Sequence, residues 1–65
     1  MPRPVPLEHQ LAEVDREIKV RQRVYARWVQ TGKMKPDVAS EQRERLEAVR
    51  DTLLGLLADR EAKVP

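Results

Sequence analysis

Leu7, Leu11, Val14, Ile18, Arg21, Tyr25 and Trp28 follow one another at alternating steps of four and three. Only a helix brings such positions onto one side, so this spacing is the seam of an amphipathic helix or a coiled coil. One seam position, Arg21, is charged. A second series, Ala39, Gln42, Leu46, Val49, Leu53 and Leu56 with Leu57 beside it, repeats the pattern downstream.

Proline and glycine set the limits of the two periodic segments. Residues 1–6, Met1-Pro2-Arg3-Pro4-Val5-Pro6, alternate proline with other residues. Proline donates no amide hydrogen and pushes its predecessor away from helix, so a flexible extended tail is expected there. Pro6 sits just before the first helix, or in its first turn, where a missing donor costs nothing. Gly32 fits the position after a helix end that takes a left-handed conformation. Helix one is therefore expected over 7–30, and Thr31-Gly32-Lys33-Met34-Lys35 is a tight turn over 31–35. Pro36 reads as the first residue of helix two, with Asp37 facing the positive end of its dipole. Helix two is expected over 36–62, with Ala62 to Pro65 fraying. Gly55 lies inside it and costs about 1 kcal/mol against alanine. It implies close packing against a neighbouring helix, or else a kink.

The fold class is thus all-α. Helices of ~25 residues are ~37 Å long, and a five-residue connector makes them antiparallel neighbours in a single hairpin over 7–62. A chain of 65 residues is marginal alone and needs disulfides, a metal or a partner chain. Cysteine is absent, and His9, the one histidine, cannot build a structural zinc site by itself. A partner chain remains. Pairing two apolar stripes leaves both flanks wet, and two hairpins packing as a homodimeric four-helix bundle would cover them. Leu11, Val14, Ile18, Leu46, Val49, Leu53 and Leu56 are the expected core and dimer residues.

Several function classes recede at this point. Glu13, Glu17, Glu41, Glu44, Glu47 and Asp51 read as a solvated face rather than an acid–base or metal set, because di-metal bundles need Glu-x-x-His pairs and Glu8 adjoins His9 directly. There is no Gly-rich phosphate loop and no Ser/His/Asp set, so no enzyme and no cofactor are expected. No apolar run approaches the ~18 residues of a membrane span, and the N-terminus has no signal-peptide core. A cytoplasmic location is the default expectation. The net charge of +2, from 13 basic and 11 acidic residues, does not demand a nucleic-acid partner.

Three features remain for binding. Arg16, Lys19, Arg23 and Arg27 form a basic stripe opposite the seam, which serves as a solvated face, a contact for an acidic protein patch, or a track for phosphates. Stacking aromatics, usual in single-strand binders, are missing from it. Val20 and Val24 lie beside the seam next to Trp28, and Leu54 lies off the second seam. They close a dimer or offer a docking patch. Around the turn, Tyr25 and Trp28 either plug the hairpin end against Met34 and Val38 or form an interface hot spot with Arg27.

Val24-Tyr25-Ala26-Arg27-Trp28-Val29-Gln30-Thr31-Gly32-Lys33-Met34 resembles a signature of small proteins from tailed phages and prophages. In that group a helix ends in V-Y-x-R-W-V, turns through G-[KR]-[ML] and enters a second helix with regular Leu/Ile positions. Ala39, Leu46, Val49 and Leu53 take those places here, and the resemblance covers roughly residues 13–57. It implies paired helical hairpins in a host bacterial cytoplasm. In size and architecture the chain is also similar to a phage anti-activator of quorum sensing that docks on a LuxR-type regulator and on a pilus assembly ATPase. No binding residue is carried over from that protein. The function expected from these resemblances is a phage interaction protein that modulates a host protein through Val20, Arg23, Val24, Tyr25, Arg27 and Trp28. The alternatives are a nucleic-acid-binding accessory protein using the basic stripe, and a structural or assembly factor of a phage particle.

Overall fold

A computed structural model describes residues 3–62. Of the expected fraying over Ala62 to Pro65, residues 63–65 lie outside them, while Ala62 is still helical. The first two residues of the expected tail lie outside them as well. The described chain is two helices, α1 (Leu7–Gln30) and α2 (Pro36–Ala62), packed on one another as an all-α hairpin.

Each boundary has a local cause. Arg3 to Pro6 are exposed and non-helical, and Pro6 holds an extended conformation with φ −58° and ψ 150°. The Pro6 carbonyl accepts from the His9 and Gln10 amides at 3.0 and 3.1 Å, which starts α1 without a side-chain cap. Gln10 Nε2 donates back to the Val5 carbonyl at 2.7 Å and ties the preceding strand of chain to the first turn.

The other end of α1 closes in a Schellman arrangement. Gly32 has φ +81°, the left-handed region that glycine enters without a Cβ clash. Its amide donates to Val29 O at 3.1 Å, and Lys33 N donates to Trp28 O at 2.8 Å. Pro36 then opens α2, and Asp37 Oδ1 accepts from the Val38 amide at 3.0 Å.

Contacts between the helices run the length of the hairpin. Arg60 pairs with Glu8 at the open end, Arg50 Nε donates to Asp15 Oδ1 at 2.5 Å in the middle, and Tyr25 Oη donates to Gln42 Oε1 at 2.8 Å toward the turn. Half-exposed pairs of this kind contribute at most about 1 kcal/mol each, so they set register more than stability. The Arg60 guanidinium holds the Glu8 carboxyl below its ordinary value, chiefly through the hydrogen bond between them.

The spacing placed α1 correctly: Leu7, Leu11, Val14, Ile18, Arg21, Tyr25 and Trp28 are all half-buried. In α2 the seam is rotated. Ala39, Gln42, Leu46 and Leu53 face inward as expected, but Arg50 and Leu57 take the next places. Val49 and Leu56 are instead exposed, at 48% and 49%. Successive helix residues differ by about 100°, so a seam one residue along swings both side chains onto a flank.

No described residue is buried. The chain exposes 5561 Å². A compact 7.6 kDa monomer exposes about 4,300 Å².

Gly55 does not pack closely on the other helix. A Cβ built there meets nothing within 4 Å, the residue is exposed, and α2 remains α-helical through it. Gly55→Ala should therefore stabilise the protein by about 1 kcal/mol, raising Tm by roughly 4–8 °C in a thermal melt. A lowered Tm would mean that a helix from another molecule packs on this side.

Candidate interaction surface

The end of α1 is organised around one carbonyl. Trp28 O accepts from Lys33 N at 2.8 Å, from Met34 N at 3.1 Å and from Thr31 Oγ1 at 3.3 Å. The backbone of Trp28 is thus fixed by the turn that follows it. Its ring lies 6.0 Å from the Tyr25 ring at an interplanar angle of 32°, and Lys33 Nζ stands 5.1 Å from its centroid. That amine takes the place of the apolar contact that often accompanies a Schellman end, as a cation–π contact. The two aromatics divide their roles: Tyr25 turns to Gln42 on α2, while Trp28 stands at the edge of α1.

Arg23, Val24, Arg27 and Trp28 line one shallow open depression on α1. Val20 continues the same edge one turn earlier, half-buried like Val24. All six residues expected to bind a partner (Val20, Arg23, Val24, Tyr25, Arg27 and Trp28) therefore fall within three turns, and five of them form this outward edge.

The basic stripe divides on inspection. Arg16 is paired with Glu13 at 2.5 Å, and that carboxylate raises its guanidinium above the ordinary value. Lys19, Arg23 and Arg27 are exposed and make no ion pair among the described residues. Glu17 pairs with Arg21 at 2.7 Å, and Glu41 pairs with Arg45, as the i,i+4 spacing implies. Glu17 likewise holds Arg21 above its ordinary value, chiefly through their hydrogen bond.

A second surface lies on the neighbouring flank. Val49 shares a depression with Arg21, Gln42, Arg45 and Leu46. Helical spacing continues this stripe through Leu53 and Leu56 on α2 and brings Val14 and Arg21 of α1 alongside. The sequence spacing puts Val14 and Arg21 on the α1 seam and Gln42, Leu46, Val49, Leu53 and Leu56 on the α2 seam; of these only Val49 and Leu56 turn out onto the flank.

Among the described residues, no three His, Asp or Glu side chains come together to hold a metal ion. No helix among the described residues is long and apolar enough to cross a membrane. No protein-family model matches the chain, and no curated protein or solved structure is significantly similar to it.

Proposed function

We propose that this protein is a small phage or prophage interaction protein that pairs with itself and docks on a host protein to alter its activity. The observation that carries the docking is the edge formed by Val20, Val24 and Trp28 with the unpaired Arg23 and Arg27. Tryptophan and arginine beside apolar surface dominate protein interfaces, and here the tryptophan backbone is pre-ordered, which lowers the entropy lost on binding. The arginines would steer the approach toward an acidic patch. Self-pairing is supported by the absence of any buried residue among those described and by the large accessible surface. The signature around Trp28 supports a phage origin. A LuxR-type transcriptional regulator or a pilus assembly ATPase is the kind of target the resemblance implies.

The test is affinity capture by the tagged protein from a nuclease-treated bacterial lysate, read by mass spectrometry. One or two host proteins retained in stoichiometric amounts is the expected result. Capture that disappears on nuclease treatment overturns it in favour of a second reading, a nucleic-acid accessory role. That reading is favoured by one observation, the three unpaired cations Lys19, Arg23 and Arg27 along one side of α1. It requires affinity that falls steeply with salt, because each phosphate contact releases counterions.

A further inference from the structure

From the distribution of charge along the hairpin, we infer that two copies pair head to tail, the turn of one lying over the open end of the other. This deepens the self-pairing proposed above and rests on it.

The occupant of the exposed flank is a second copy of this chain. Val49 and Leu56 are exposed along this flank, and Val14, Leu46 and Leu53 beside them are only half-buried within the hairpin. The chain exposes about 1,300 Å² more than a compact monomer of its mass, an excess that comes with its elongated form and that pairing along the helices would reduce.

Two face-to-face arrangements of identical hairpins keep a two-fold axis. With the axis along the helices, both turns lie at the same end and α1 stacks on α2 of the second copy. With the axis across the helices, the turns lie at opposite ends and α1 stacks antiparallel on α1.

Charge separates them. The half of the hairpin nearest the open end, residues 7–18 and 50–62, carries seven acidic and three basic residues, a net −4. The half nearest the turn, residues 19–49, carries eight basic and four acidic residues, a net +4. Turns packed together set +4 on +4 and −4 on −4; the head-to-tail arrangement sets each half on its opposite.

The centre of the face agrees. Arg21 and Arg45 line the same depression, so stacking α1 on α2 of the second copy brings Arg21 onto Arg45. Stacking α1 antiparallel on α1 about its midpoint brings Glu17 of each copy to Arg21 of the other instead.

The test uses the full chain, which has no native cysteine, with Lys35→Cys carrying a nitroxide label at the exposed, unpaired turn position. The mass of the labelled protein is measured by light scattering, and the label separation by pulsed electron–electron resonance. A dimer with labels about 35 Å or more apart is expected, since each helix is about that long. A separation within about 20 Å, the width of a bundle, overturns the head-to-tail arrangement and leaves self-pairing standing. The mass of a single chain at micromolar concentration overturns the self-pairing itself.

Discussion

Val49→Glu should turn the assembled protein into separate chains that lose helicity. Within one hairpin the change is mild, because Val49 is 48% exposed and surface substitutions usually stay within about 0.5 kcal/mol. Across a two-fold interface it takes two carboxylates out of water beside Leu46, Leu53 and Leu56. Arg21 and Arg45 of the same depression offset that cost only in part, because one is already paired with Glu17 and the other with Glu41. A loss of at least about 3 kcal/mol is expected, which is more than 100-fold in the association constant. The separated hairpin keeps no buried residue to hold its two helices together, so helicity should fall with dilution as well. Sedimentation equilibrium and far-ultraviolet circular dichroism over one concentration series read both effects. Ala48→Glu is the matched control: it adds the same charge to the adjacent exposed position, about 100° around α2 and away from Leu46 and Leu53. Equal association constants for the two variants would remove Val49 from any interface.

The parts of this fold that could be read in the sequence are those with local causes. Pro6, Gly32 and Pro36 each act on their own backbone, so the helix limits at residues 7, 30 and 36 followed from residue type. The pairs Glu17–Arg21 and Glu41–Arg45 followed from the rise of one helix. The rotation of α2 about its axis did not follow, because it depends on the fit of two helices. Leu53, Leu54, Leu56 and Leu57 put apolar side chains around much of α2, so spacing alone could not choose between Val49 and Arg50 or between Leu56 and Leu57. The contacts that go with the observed rotation, Asp15 with Arg50 and Glu8 with Arg60, join residues 35 and 52 positions apart. Neither pair has a signature in the local pattern. The candidate surface was legible to a similar depth: Trp28, Tyr25 and the arginines stood out by residue type. The convergence of three donors on the Trp28 carbonyl and the placement of Lys33 over its ring depend on the turn geometry.

Trp28→Ala should abolish capture of the host partner while the protein stays helical and paired. The turn bonds to Trp28 through its carbonyl, and alanine retains that carbonyl, so the Schellman end survives the substitution. Within the molecule, the ring gives up its tilted contact with Tyr25 and the cation–π contact with Lys33, each about 1 kcal/mol or less at a half-exposed site. The tie between the helices at this level belongs to Tyr25 and Gln42 and is untouched. In a complex, truncating a central tryptophan removes 2 kcal/mol or more, which is at least about 30-fold in affinity. Trp28→Phe keeps an aromatic face for Tyr25 and Lys33 and should recover part of the binding. Arg27→Glu should slow association chiefly at low salt, because a charge at the rim acts on encounter more than on the final contact. Capture, melting temperature and mass are measured on each variant. If Trp28→Ala loses helicity together with binding, the ring is the plug of the hairpin end, and the docking edge then rests on Val20, Val24 and the two arginines alone.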